Sequence, residues 1–303
     1  MRRLVPIVLA TLTAACTPSP TTTPSSTVPT PSTTARITTS SPPASTTSSP
    51  STTAAVAAPA ERQVEYLEGV EADVYLPSTD PSGVVLLVHG GAWVGGDRRG
   101  LSDMAKDLAG AGYLTVNATY RTSDGGYPTT FEDVACAVRF ARQTAADEYG
   151  VELPVTVIGH SAGAHIGALI SLGGESFAGE CPWEGAVLPD AFVGLAGPYD
   201  ITQMAFLDFL NPFFGAAYAD DPTNWDASNP YTYIGENSSL QVALIHGDAD
   251  REVSLGFSEN FEAALEDASY DTRLEVVADA DHFEIYDPDV TGDLITQFLA
   301  TVG

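Results

Sequence analysis

Short apolar runs that alternate with helical stretches constrain the fold of this chain most strongly. Residues 84–88 read VVLLV and residues 155–158 read VTVI, without the regular polar alternation of a strand that is buried on one face only. Such runs are typical of parallel sheets whose two faces are both covered by helices. The predicted strands are residues 63–68, 71–76, 84–88, 114–116, 155–158, 191–195, 242–245 and 274–277.

Five stretches with an apolar period near 3.6 residues predict helices between and after these strands. They are residues 101–111, 131–149, 162–172, 256–268 and 291–302. The alternation predicts an α/β fold, with a doubly wound and mostly parallel sheet that begins with an antiparallel pair around Gly69. We expect one domain over residues 61–303, a length that is ordinary for a single α/β domain.

The first 16 residues are typical of an export signal, in which Arg2 and Arg3 precede a 12-residue apolar run. That run is too short to span a bilayer, which needs about 20 residues. The run ends in Thr-Ala-Ala-Cys, which resembles the lipobox of bacterial lipoproteins and marks Cys16 for lipidation. We expect a lipoprotein on the outer face of the cytoplasmic membrane, the alternative being a secreted protein with an incidental cysteine.

Residues 17–60 predict a disordered linker, because 24 of these 44 residues are Ser or Thr and nine are Pro. The distribution of charged residues also changes at residue 61. Residues 61–303 carry 40 acidic and nine basic side chains, a net charge of −31. A surface this negative repels phosphates, so nucleic acid is excluded as a partner and a membrane contact is expected only through the lipid anchor.

A G-x-S-x-G sequence, Gly159 to Gly163, stands between a predicted strand and a predicted helix. Glycines two residues before and after Ser161 permit a turn too tight for side chains, which exposes the serine hydroxyl above the sheet. The motif alone is common by chance, and its position between a strand and a helix makes it a candidate nucleophile.

Three further motifs follow strand ends. His89-Gly90-Gly91-Ala92-Trp93 exposes backbone N–H groups that can stabilise an oxyanion, or else is a glycine-rich turn around a buried tryptophan. Asp250 follows the strand at 242–245, and His282 follows the last strand. Asp250 taken alone reads as a solvated surface charge. The order Ser, Asp, His on successive strand ends is what points to a catalytic triad.

These motifs resemble the α/β-hydrolase fold, and within it the serine carboxylesterases that carry an H-G-G-x-W motif. Hormone-sensitive-lipase-like and kynurenine-formamidase-like enzymes are neighbours, and the resemblance covers residues 63–302. It implies Ser161 as nucleophile and His282 as base. Residues 246–253 match H-G-x-x-D-x-x-V, which selects Asp250 as the acid.

The resemblance also implies oxyanion donors and a reaction class. The donors are the N–H groups of Gly91, Ala92 and Ala162. The implied reaction is hydrolysis of small carboxylic esters with short-to-medium acyl chains, without a cofactor or a metal. The alternatives are an amidase or formamidase with the same triad, and a non-catalytic surface-binding module on a hydrolase fold.

In this fold an insertion like that at about residues 201–232 forms a cap over the active site. Six of its aromatic residues either line a substrate pocket or pack the cap's own small core. They are Phe206, Phe209, Phe213, Phe214, Tyr218 and Trp225.

Cys136 and Cys181 are the two cysteines of the exported domain. An even pair in an oxidising compartment predicts a disulfide, the alternative being two buried free thiols.

Overall fold

A computed structural model describes residues 59–123 and 125–303. The export signal, Cys16 and almost all of the predicted linker lie outside these described residues. The eight predicted strands all form, and they make one sheet in the order β1-β2-β4-β3-β5-β6-β7-β8. They are β1 (Ala60–Leu67), β2 (Val70–Leu76), β3 (Val84–Val88), β4 (Leu114–Ala118), β5 (Val155–His160), β6 (Ala191–Leu195), β7 (Gln241–Gly247) and β8 (Asp271–Val277).

The sheet is mostly parallel, which confirms the predicted α/β class. Strand β2 pairs antiparallel with both β1 and β4, and every pair from β4 to β8 is parallel. The central strands β3, β5 and β6 are buried along their whole length. Their continuous apolar sequences follow from this burial on both faces.

In the part of the chain that the structure describes, seven α-helices accompany the sheet, and five of them are those that the sequence predicts. They are α1 (Ser102–Gly110), α2 (Thr129–Tyr149), α3 (Ala162–Gly173), α4 (Asn211–Phe214), α5 (Thr223–Ala227), α6 (Gly256–Asp267) and α7 (Pro288–Leu299). Helices α4 and α5 lie in the predicted cap and are too short to show an apolar period. Helices α1 and α7 pack on one face of the sheet, and α2, α3 and α6 pack on the other.

Several predicted boundaries differ from the structure by one to three residues, and local contacts explain two of these differences. Strand β1 begins at Ala60, inside the predicted linker, because that residue pairs with Leu76 of β2. Helix α7 runs over Pro288–Leu299 rather than 291–302. The Asp287 side chain accepts a hydrogen bond from the N–H of Asp289, and Pro288 occupies the first turn, so the helix begins three residues earlier.

A disulfide joins Cys136 of α2 to Cys181, in the loop that follows α3, with a Cα–Cα distance of 5.6 Å. The structure thus contains the predicted bridge and not the alternative of two free thiols. Among the described residues, no helix has the length and apolar character needed to cross a bilayer.

Parallel strands end on the same edge of a sheet, and this edge positions the candidate site. The loops that follow β3, β5, β7 and β8 carry the oxyanion motif, Ser161, Asp250 and His282 respectively.

Candidate active site

Ser161 lies on a tight turn between β5 and α3, with φ of 55°. A non-glycine residue with such a backbone is strained, at a cost on the order of 1 kcal/mol or more. A Cβ atom at Gly159 would collide with the carbonyl of Gly163, and one at Gly163 would collide with the carbonyl of Val88. Glycine is therefore required at both flanking positions, by the elbow itself at Gly159 and by the end of strand β3 at Gly163.

Ser161, His282 and Asp250 form a continuous hydrogen-bonded relay. The Ser161 hydroxyl lies 2.9 Å from Nε2 of His282, and Nδ1 of His282 lies 2.7 Å from Oδ2 of Asp250. In the tautomer that suits both bonds, Nδ1–H donates to the carboxylate and Nε2 accepts the serine proton. The structure thus brings together three residues that are up to 121 positions apart in the sequence.

The Asp250 side chain is only 1% exposed, and four polar groups contact its carboxylate. Its Oδ1 atom accepts hydrogen bonds from the N–H groups of Glu252 and Val253. Burial alone would raise the pKa of Asp250, but hydrogen bonds from His246 and His282 outweigh it and hold that pKa well below its usual range. The carboxylate is therefore ionised at neutral pH and orients His282.

His246 supports Asp250, a role that the sequence reasoning missed. This fully buried ring lies with Nδ1 2.7 Å from the Ser258 hydroxyl and Nε2 3.0 Å from the Val253 carbonyl. The same Nε2 lies 3.3 Å from Oδ2 of Asp250. Its place four residues before Asp250, in the H-G-x-x-D motif, is the sequence signal that could have identified this role.

His160, inside the elbow, supports His282 from the other side. Burial lowers the pKa of His160 to about 3, so the ring is neutral and its Nε2–H donates to the His282 carbonyl at 2.9 Å. The His160 ring also packs against the rings of His282 and Tyr286, with centroids 4.8 Å and 4.6 Å away. His160 thus contacts both the backbone and the ring of His282.

The oxyanion motif forms a turn with left-handed residues at Ala92 (φ 52°) and Trp93 (φ 63°). The N–H groups of Val94 and Gly95 both donate to the Gly91 carbonyl and close the turn. Within residues 59–123 and 125–303, the N–H groups of Gly91, Ala92 and Ala162 donate to no protein acceptor. These three residues thus retain free donors beside Ser161, as an oxyanion hole requires.

A cavity of about 710 Å³ opens at this edge of the sheet, and both Ser161 and His282 line it. Three phenylalanines form its rim and remain largely exposed: Phe206 (73%), Phe209 (47%) and Phe283 (58%). The cap aromatics therefore divide between the two roles that the sequence left open. Phe206 and Phe209 line the cavity, whereas the others pack together or against the domain: Phe213, Phe214, Tyr218 and Trp225.

No group of three or more His, Cys, Asp or Glu side chains is arranged to bind a metal ion in the described part of the chain. The polar side chains that line the cavity are Ser161 and His282 of the relay, together with His89, Asp97, His160, Glu252 and Tyr286.

The sheet order, the serine elbow and the relay at the carboxyl edge together define an α/β-hydrolase. The BD-FAE family matches residues 72–265, and the chain belongs to this family. Esterase LipQ of Mycobacterium tuberculosis is 30% identical over 197 residues, which cover 61% of this chain and 46% of that protein. A kynurenine formamidase of Danio rerio is 26% identical, with 72% of each chain covered.

The chain spans about half the length of several curated relatives, including the mycobacterial esterases LipQ and LipC. Solved structures agree on the fold. A truncated carbohydrate esterase from gut microbiota has a TM-score of 0.67 at 22% identity, covering 82% of this chain and 99% of that one. Thermogutta terrifontis esterase Est2, bound to propionate, has a TM-score of 0.64 at 20% identity, covering 81% and 95%.

Proposed function

We propose that this protein hydrolyses carboxylic esters with short-to-medium acyl chains through an acyl-enzyme on Ser161. The observation that carries the proposal is the relay from Ser161 through His282 to Asp250, at 2.9 Å and 2.7 Å, on the wall of an open cavity. Esterase relatives and the family membership support the same reaction class.

The first half of the reaction acylates the serine. The Ser161 oxygen attacks the ester carbonyl carbon while Nε2 of His282 takes the hydroxyl proton, and the ionised Asp250 stabilises the resulting imidazolium. The tetrahedral oxyanion is stabilised by the N–H groups of Gly91, Ala92 and Ala162. Losing one such donor typically costs about 3 kcal/mol of transition-state stabilisation.

The second half releases both products. The C–O bond to the alcohol breaks as His282 returns its proton to the leaving oxygen, and the acyl group stays on Ser161. A water molecule then attacks the acyl carbon, with His282 again taking a proton, and the carboxylic acid leaves as the serine hydroxyl is regenerated.

The cavity supports the assignment of acyl length. The cap contributes Met204, Leu207 and Phe209 to its apolar wall, and about 710 Å³ of space suits a small ester. Among the described residues, no lysine or arginine lines the cavity, and the domain is strongly acidic. Strongly anionic substrates are therefore disfavoured.

An amidase or formamidase is the second candidate, because kynurenine formamidases are similar over 72% of this chain. The same residues would serve either reaction. Relative rates on an ester and an anilide of the same acid separate the two candidates, since only an amidase is expected to cleave the anilide at a comparable rate.

The direct test is a series of nitrophenyl esters from acetate to laurate, with Ser161→Ala as the matched control. We expect kcat/KM to peak between acetate and octanoate. A fluorophosphonate should label the wild type and not the Ser161→Ala variant. Absence of both turnover and labelling in the folded wild type would favour the non-catalytic binding module instead.

We also propose that Cys16 is lipidated and anchors the exported protein at the outer face of the cytoplasmic membrane. The lipobox-like end of the apolar run supports this, and residues 17–58 would act as a spacer. Expression of full-length protein with and without Cys16→Ser tests it. Wild-type protein that is found only in the medium, without added lipid mass, would contradict the proposal.

A further inference from the structure

His165 is a buried titratable residue that the reaction scheme above does not use. It lies on α3, one helical turn beyond Ser161, and its N–H donates to the Ser161 carbonyl at 3.1 Å. Its side chain is fully buried and makes two hydrogen bonds to distant segments. The Trp93 indole N–H donates to Nδ1 at 3.1 Å, and Nε2–H donates to the Ser228 carbonyl at 2.9 Å.

Only one form of the His165 ring satisfies both partners. The indole N–H is a donor only, and the Ser228 carbonyl is an acceptor only. Burial lowers the pKa of His165 to about 4, so the ring is neutral at ordinary pH and has one donor and one acceptor. The Nε2–H tautomer matches the two partners, and it leaves no polar atom of the imidazole unpaired.

The segment that His165 holds is the oxyanion turn. Trp93 is only 2% exposed, and it follows Ala92 directly in a backbone that is left-handed at both residues. Such a backbone persists only where surrounding contacts impose it. The Trp93 indole packs edge-on against the His165 ring, with centroids 5.4 Å apart, so its direction is set by hydrogen bonding and packing together.

The second hydrogen-bond partner, Ser228, connects the same ring to the cap. Ser228 ends helix α5, and its hydroxyl also donates to the Asn224 carbonyl at 2.7 Å. Phe131 of α2 covers the His165 ring at a centroid distance of 6.1 Å. One imidazole thus joins the nucleophile helix, the oxyanion turn and the cap.

We propose that His165 is a positioning residue, which holds Trp93 and thereby aims the Ala92 N–H at the oxyanion formed on attack by Ser161. The inference rests on the proposed ester hydrolysis. Because the oxyanion exists only after attack, a misplaced donor lowers kcat and leaves substrate binding nearly unchanged.

The test compares His165→Leu, which keeps a similar apolar volume, with His165→Gln, whose amide offers one acceptor and donors. Trp93→Phe removes the indole donor from the other side. The matched control is Asn237→Leu, which removes two buried hydrogen bonds, to the carbonyls of Ser171 in α3 and of Pro189, away from the oxyanion turn. Rates on nitrophenyl butyrate are expressed per active site, titrated with a fluorophosphonate.

We expect His165→Leu and Trp93→Phe each to lower kcat at least about tenfold, with KM within about threefold of the wild type. His165→Gln should recover most of the loss. The double variant Trp93→Phe/His165→Leu should be little worse than the poorer single variant, because the two residues act as one unit. Asn237→Leu should lower the melting temperature and keep kcat.

Three results would overturn the inference: kcat within twofold of the wild type in folded His165→Leu, unchanged kcat in Trp93→Phe, or an equal loss in Asn237→Leu. If His165→Leu does not fold, His165→Gln and Trp93→Phe decide the question by the same criteria. If the wild type hydrolyses esters and the variants are as active as the wild type, only the proposed role of His165 is contradicted. A folded wild type without any ester hydrolysis contradicts the proposed function as well.

Discussion

The nucleophile elbow and the oxyanion turn both hold residues in left-handed backbone, but by different means. At Ser161 the conformation depends on two glycines within the elbow: a Cβ at Gly159 would meet the Gly163 carbonyl, and one at Gly163 would meet the end of strand β3. At Ala92 and Trp93 the turn is closed by bonds to the Gly91 carbonyl and held in place through a buried indole. The elbow is therefore specified largely by its own sequence motif, whereas the oxyanion turn depends on a side chain that is held elsewhere in the chain.

The largest expected effect comes from removing the nucleophile of the elbow. Ser161→Ala should lower kcat/KM for nitrophenyl butyrate at least about 10⁴-fold, because no other group at this position attacks the ester. The melting temperature should stay within a few degrees, since the hydroxyl contributes little packing. His282→Ala combined with Ser161→Ala should cost no more than the poorer single change. Residual turnover of a few per cent in Ser161→Ala would show that another residue attacks the ester.

Removal of the disulfide tests whether the elbow is locally determined. The bridge closes a 45-residue separation that includes Ser161, and loop entropy gives about 4 kcal/mol of stabilisation for a loop of that size. Cys136→Ala/Cys181→Ala should lower the free energy of unfolding by up to this amount, as measured by denaturant titration. The kcat of the folded fraction should be unchanged at 25 °C. A tenfold loss of kcat would mean that the elbow depends on the distant tether.

Acid titration compares two buried histidines, His160 of the nucleophile elbow and His165, which contacts the oxyanion turn. Burial lowers the folded-state pKa of His160 to about 3 and that of His165 to about 4, against about 6.5 in an unfolded chain. Below pH 6.5 the unfolded state takes up these protons and the native state does not. Stability is therefore fully present above pH 6.5 and falls as the pH drops toward 4.

Each of the two rings should contribute a slope of up to about 1.4 kcal/mol per pH unit to the free energy of unfolding. Denaturant titrations at pH 7, 6, 5 and 4.5 measure the slope from all titrating groups, including His89, whose pKa is also lowered by burial. In the His165→Gln variant, the slope should be smaller by the contribution of His165. An unchanged slope in that variant would show that His165 does not stay neutral in the folded protein.

The smallest expected effect comes from a residue at the cavity rim, which belongs to neither the nucleophile elbow nor the oxyanion turn. Phe206 is 73% exposed, so Phe206→Ala should change the free energy of unfolding by less than about 0.5 kcal/mol. Loss of its contact with a longer acyl chain, worth about 1 kcal/mol, should raise KM for the hexanoate ester roughly fivefold. The acetate ester should be unaffected. Equal KM changes for both esters would exclude Phe206 from chain-length selection.

The amino-acid sequence by itself determined the features that depend on neighbours in the chain. The apolar runs specify strands that are buried on both faces, and the glycines around Ser161 specify the elbow. Strand ends of a parallel sheet share one edge, so the order Ser161, Asp250, His282 already predicted which side chains would meet. The cap helices α4 and α5 escaped prediction, because four or five residues are too few to show a period.

Only the tertiary structure decided which polar groups support the site. Trp93 and His165 are 72 positions apart, and His160 lies 122 positions from the His282 carbonyl that it binds. No local pattern records such a pairing, since each partner alone resembles an ordinary buried side chain. The cap aromatics divided between rim and core for the same reason: Phe206 and Phe214 are the same residue type, and only packing against Trp225 buries one of them.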